Sequence, residues 1–151
     1  MSDKLKSEIR ALRENSYIAH VGSVNEEGYP QMKAMMVLEH ASIREHYFST
    51  NTSSKRVVQF LKNPKASVYY CRHDEVWSGA LFTGTMEVCT DRETKAKLWV
   101  EKAVLGAHTI SSWDYYPKGI DDEDYCVLKF TAQTVNCYSG FEIAAFPIED
   151  V

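Results

Sequence analysis

None of the four cysteines, Cys71, Cys89, Cys126 and Cys137, pairs with another as CxxC. The opening MSDKLKSEIRALREN is a polar helical pattern rather than a signal peptide, so all four read as reduced thiols of a cytoplasmic protein. Any excess of positive charge is also missing, with 17 Lys and Arg against 21 Asp and Glu. A net charge of -4 and a pI near 5.7 argue against a general binder of nucleic acid or of anionic membrane, both of which want a basic surface. No apolar run approaches the ~20 residues that span a bilayer. The five histidines, His20, His40, His46, His73 and His108, show no HxH, HExxH or HxxxH spacing, so a metal site has no support. GxSxG is absent, and no cysteine sits in a nucleophile motif, which leaves covalent catalysis unsupported. GxGxxG and GxxxxGK are absent too, so any nucleotide must be held without those loops. Repeats, low-complexity stretches and linkers are missing. The 151 residues therefore read as one domain, 1–151, large enough for a core that a second subunit could complete.

What is present is concentrated in YFSTNTSSKRVVQFLKNP, residues 47–64. An extended aromatic YFST runs through a hydroxyl-rich turn, Asn51 to Ser54, into a helix with Val57, Val58, Phe60 and Leu61 as its apolar face and Thr52 or Ser53 as its N-cap. A helix start carries unpaired N–H groups and partial positive charge, and acids are expected there. This one holds Lys55 and Arg56. Placing cations there costs roughly 0.3 to 1 kcal/mol each unless something negative lies among them. A phosphate fits, held by the hydroxyls, the free N–H groups and the two basic side chains. The alternative is that both cations point into water.

Along the rest of the chain, residues 3–14 form a short amphipathic helix with Leu5, Ile9 and Leu12 on one face. SYIAHVGSV and PQMKAMMVL make a hairpin about the turn NEEG, and HYFST is a further strand. The helix after it stops at Asn63-Pro64. KASVYYCR is a strand, and VWSGALFTGTMEVCT is a long one whose Gly79 and Gly84 mark a bulge, a barrel corner or a ligand lying against backbone. Asp91 caps a helix, DRETKAKLWVEKAV, with Leu98, Trp99 and Val104 inward. Residues 105–124 read as irregular, with the acidic run Asp121 to Asp124 as a solvated loop, and YCVLKFTAQTVNCYS is the last strand. Strands in antiparallel pairs with outlying helices give a mainly β (α+β) class, a small barrel with α decoration.

Several residues carry two readings. Lys33 is either an exposed lysine beside its own pleat or, if the hairpin and the next strand lie together, a second cation converging on the turn at Thr50 to Lys55. Met35 and Met36 read as core filler, with thioethers that also pack well against a planar ring. Trp77 and Trp113 fit a core, a pocket rim or a dimer interface. Nine Tyr and three Trp exceed what a small core needs and point to ring surfaces in an interface or pocket.

The segments YIAHVGSVNEEGYPQMKAMMV, HYFSTNTSSKRVVQFLKNPKASVYY, WSGALFTGTMEVCTD and YYPKGIDDEDYCVLKF, in this order, resemble the pyridoxamine 5'-phosphate oxidase-like superfamily of FMN-binding split β-barrels, in its general stress protein 26-like branch. The likeness runs over roughly residues 14–139. It implies an antiparallel split β-barrel with flanking helices, and a homodimer with FMN in two clefts at the subunit interface. Lys33 stands at the family's basic phosphate-contacting position. Ala34, Met35 and Met36 match the backbone edge facing the isoalloxazine. Ser49 and Thr50 match the strand end beside the ring and ribityl chain, and Ser54, Lys55 and Arg56 match the phosphate turn. Trp77 and Leu81 approach the flavin of the other subunit. The resemblance implies an oxidoreductase acting on a small-molecule substrate or electron donor; its alternatives are a non-catalytic flavin or haem-binding sensor or carrier, and an F420-binding reductase. Two departures stand out. The chain ends in FEIAAFPIEDV, without the arginines and histidine by which the true oxidases hold pyridoxine phosphate, and Tyr138 stands where the stress-protein branch usually has tryptophan.

Overall fold

The computed structural model describes residues 2–75 and 77–151. Helix α1 (Ser2–Asn15) buries Leu5, Ile9 and Leu12, the stripe its periodicity defines. Strands β1 (Ile18–Val24) and β2 (Pro30–Met36) pair antiparallel about the Asn25–Gly28 turn, where Gly28 takes a φ of 87° that favours glycine. Then come β3 (Glu45–Asn51), α2 (Lys55–Lys62), β4 (Lys65–Cys71) and β5 (Gly79–Cys89). After α3 (Arg92–Lys97), the short strands β6 (Ala103–Leu105) and β7 (His108–Ile110) make a separate hairpin. The chain closes with β8 (Tyr125–Ser139) and β9 (Glu142–Pro147).

Every pairing is antiparallel, in the order β2-β1-β4-β5-β8-β3, with β9 also on β8. The fifteen-residue β8 makes this possible, since its first half pairs with β3 and its second half with β9 while β5 runs along its other edge. Opposite Gly84 the β5–β8 register shifts, and a Cβ there would run into the Thr131 carbonyl, so the glycine marks a bulge and a close approach together. The curled sheet encloses a core of Val21, Phe48, Val68, Phe82, Leu128, Phe130 and Val135, sealed by α1 and by Val57 and Phe60 of α2. The result is an antiparallel split β-barrel with flanking helices. Among the described residues no helix is long and apolar enough to cross a membrane.

The structure corrects several local readings. The apolar face of α2 is narrower than its composition suggests: Val57 and Phe60 are buried, but Val58 and Leu61 are 47% and 70% exposed, because eight residues in two turns present only one narrow stripe to the sheet. Helix α3 ends at Lys97, with Leu98 as its C-cap, and Val104 lies exposed in the β6–β7 hairpin rather than inward on a helix. That hairpin turns at Gly106, φ 59°, inside a segment that reads as irregular. EIAAFP forms β9, turned through Gly140 at φ 61°, so β8 is not the last strand.

Candidate functional site

β2 and β3 end the sheet path and are not hydrogen-bonded to each other. Lys33 and the Thr50 end of β3 do converge, but across this split rather than by pairing of neighbouring strands. A cleft of about 400 Å³ opens there. β2 contributes Lys33, Ala34, Met35 and Met36, β3 contributes Ser49, Thr50 and Asn51, and Arg56 reaches in from α2. The opposite wall comes from the segment after α3: Val100, Ile110, Ser111, Ser112, Tyr115 and Tyr116.

Helix α2 begins as its hydroxyls demand, with one change of cap. Ser54, in extended conformation, is the N-cap, and its Oγ accepts from the Val57 N–H at 3.3 Å; Ser53 and Thr52 lie one and two residues outside. The N–H groups of Lys55 and Arg56 have no intrahelical acceptor. The free-hydroxyl turn of the sequence reading is also modified. The Thr52 hydroxyl and the Ser53 N–H donate to the Asp124 carboxylate at 3.1 and 2.9 Å, and Asn51 Nδ2 donates to its other oxygen at 2.7 Å. These donors hold the Asp124 pKa down to about 2, with the Ser53 N–H foremost. The acidic run is therefore not a solvated loop throughout, since Asp124 is locked to the turn and Asp122 is buried, accepting from the Lys118 and Asp124 N–H groups.

The cations remain uncompensated. Among the described residues, neither Lys33, Lys55 nor Arg56 has a carboxylate within ion-pair distance. Arg56 is half-buried, and burial pushes its pKa down. Its Nε is buried without a partner, and one terminal nitrogen reaches only the Met35 thioether at 3.8 Å. Ser49 Oγ is a second buried polar atom without a partner. Buried polar groups are nearly always paired, so the Arg56 Nε is an unmet polar demand beside this cleft, whereas Ser49 has the Tyr125 hydroxyl as its nearby polar neighbour. Tyr116 closes the wall, its hydroxyl donating to Asn51 Oδ1 at 3.2 Å and its phenol pKa raised by burial.

Of the ten residues singled out from sequence, Lys33, Ala34, Met35, Met36, Ser49, Thr50 and Arg56 line this cleft. Ser54 and Lys55 stand at the α2 start without lining it; Ser54 is spent on the cap and Lys55 is exposed. Trp77 lies elsewhere, 76% exposed beside Tyr69, Leu81 and Tyr138 on the outer face of the sheet. Tyr115, Tyr116 and Ser111 were not legible as site residues, because only the folding of residues 98–116 over the split brings them to it.

A family model described as pyridoxamine 5'-phosphate oxidase matches residues 5–138. The chain belongs to this family. A solved structure of a Clostridium acetobutylicum protein, related to general stress protein 26 of B. subtilis and assigned to the pyridoxinephosphate oxidase family, is 37% identical over 99% of both chains, with a TM-score of 0.82. General stress protein 26 from Bacillus anthracis superposes with a TM-score of 0.70 at 18% identity, over 94% of this chain and 98% of that one. These place the pyridoxamine 5'-phosphate oxidase-family chain in the general stress protein 26-like branch. A haem-binding protein from Mycobacterium smegmatis shares the fold at 16% identity and a TM-score of 0.72, over 96% of this chain and 58% of that one. No curated protein matches the sequence significantly.

Proposed function

We propose that this protein binds FMN in the cleft between β2 and β3 and works as a cytoplasmic, homodimeric oxidoreductase on a small molecule. The observation that carries the reading is the half-buried Arg56, whose Nε has no partner and whose charge has no counter-ion among the described residues, at the mouth of a helix start that also lacks an acid. A guanidinium in that position is stabilised by a phosphate, which accepts from Arg56 and from the Lys55 and Arg56 N–H groups together. Lys33 supplies the second cation from β2, and Lys55 a third from the rim. Ala34 to Met36 would lie along the ring, with the Met35 and Met36 thioethers as soft packing surface. Ser49 Oγ and Thr50 would meet the ribityl chain or ring edge. In the dimer, Trp77 would face the partner's cleft.

Bound FMN supplies hydride and single-electron transfer, chemistry that no side chain here provides. The chain's part is binding, orientation and exclusion of water. Among the described residues no carboxylate or imidazole lines the cleft, and burial holds the proton on Tyr116, so no general acid or base is assigned. The apolar wall of Leu38, Val100 and Ile110 sets the dielectric around the ring.

The absorbance spectrum of the purified protein, before and after addition of FMN, tests the reading. Flavin bands that stay with the protein through gel filtration support it. A Soret band in their place would assign the cleft to haem, a deazaflavin spectrum would assign it to F420, and colourless protein that ignores FMN would end it. If FMN binds, reduction by NADH or NADPH and reoxidation with turnover separates an enzyme from a carrier.

A further inference from the structure

We infer that Asp124 is a positioning residue for the phosphate end of the cleft, an inference that rests on the FMN reading. One carboxylate accepts from three consecutive residues, Asn51 Nδ2, Thr52 Oγ1 and the Ser53 N–H, at 2.7, 3.1 and 2.9 Å. The main chain around it reinforces the grip, the Thr52 N–H donating to the Asp124 carbonyl at 2.9 Å, while the single Thr52 hydroxyl proton is shared between the Asp124 carboxylate and the Glu123 carbonyl, 2.9 Å away. The turn so held leads directly into the cap Ser54 and the cations Lys55 and Arg56. Its other side is tied to the cleft wall, because Asn51 Oδ1 accepts from Tyr116. Asp124 is therefore joined through Asn51 to a residue lining the cleft, and through Ser53 to the helix start.

A negative charge beside a phosphate site is electrostatically unfavourable, and by Coulomb's law alone its removal should tighten phosphate binding. Its presence is understandable if the backbone geometry it imposes outweighs the repulsion. The two effects have opposite signs, which makes the role testable. The three donors also keep the carboxylate ionised, its pKa held to about 2, so it grips the turn throughout the neutral range.

The experiment titrates Asp124→Asn and wild-type protein with FMN and with riboflavin, which has the same ring and ribityl chain but no phosphate, following flavin fluorescence. The expected result is an FMN Kd raised about tenfold or more, with riboflavin affinity changed less than about twofold; Thr52→Val, which removes one donor and keeps the charge, should shift FMN in the same direction by a smaller factor. Unchanged or tighter FMN binding in both variants would overturn the inference while leaving the FMN reading intact. Equal weakening of both flavins would also overturn it, since general loosening of the fold then accounts for the effect. Wild-type protein that binds neither flavin would sink the FMN reading itself and the inference with it.

Discussion

Replacing Arg56 by Met is expected to move stability and flavin affinity in opposite directions. The buried, unpartnered Nε carries a desolvation penalty that folding does not recover. Such an atom costs about 1–3 kcal/mol, and because the rest of the guanidinium is partly hydrated the lower end applies, about 1 kcal/mol. Methionine keeps the unbranched stem out to about the Nε position without its polar atom, and gives up only the weak 3.8 Å contact of the terminal nitrogen with the Met35 thioether. The apo protein should therefore melt about 2–4 °C higher. The same change removes a charge-assisted contact to phosphate, about 1.5–3 kcal/mol, so the FMN Kd should rise about 10- to 150-fold. Thermal melts without flavin, together with an FMN titration, check both arms. A variant that melts lower and binds FMN as tightly as wild type would show that Arg56 is a packing residue with an internal partner, and the phosphate would lie elsewhere.

Other outcomes follow from particular contacts. His46 is fully buried, donates from Nε2 to the Ile43 carbonyl at 2.9 Å and lies 2.9 Å from the Tyr70 hydroxyl through Nδ1; burial lowers its pKa from 6.5 to about 3. Between those values the unfolded chain binds the extra proton, so its contribution is intact above pH 6.5 and lost as pH falls toward 3, at up to about 1.4 kcal/mol per unit. Urea midpoints followed from about pH 7 down to 4 should fall less steeply in His46→Gln than in wild type; parallel curves would refute the assignment. Gly84→Ala should destabilise by about 1–3 kcal/mol or more, since the added Cβ meets the Thr131 backbone at the bulge. A denaturation midpoint equal to wild type would mean that the bulge relaxes freely. Leu61→Lys, on the exposed side of α2, should change stability by no more than about 0.5 kcal/mol, and a larger loss in a denaturant melt would mean that this face is covered.

The parts of the fold legible from sequence were those in which local chemistry and tertiary context agree. The Pro30 strand start, the Asn63-Pro64 stop of α2, the Asp91 cap and the Gly84 bulge each rest on one backbone requirement, and each holds in the structure. Edge elements were harder. β9 is mostly exposed and buries its alternate residues, Ala144 and Phe146, only in part, so its inward face is a weak signal beside the Gly140 turn. The β6–β7 hairpin is three residues a side, too short for any periodicity. Helix propensity carried the Asp91 helix too far, because Leu98 is a good helix former that here serves as a cap.

At the site, the cations were legible because they contradict helix electrostatics, and seven of ten residues do line one cleft. The contact of Asp124 with the turn was not, since a carboxylate 71 residues from Ser53 is a partner that only the fold reveals. Tyr115 and Tyr116 were hidden for the same reason.

The most direct measurement is a crystal structure of the protein grown with FMN. Phosphate density is expected at the start of α2, within about 2.7–3.2 Å of the Arg56 guanidinium and the first-turn N–H groups, with the ring along Ala34 to Met36. FMN bound with its phosphate away from Arg56 and Lys33, or a cleft between β2 and β3 that stays filled with solvent at saturating flavin, would contradict it.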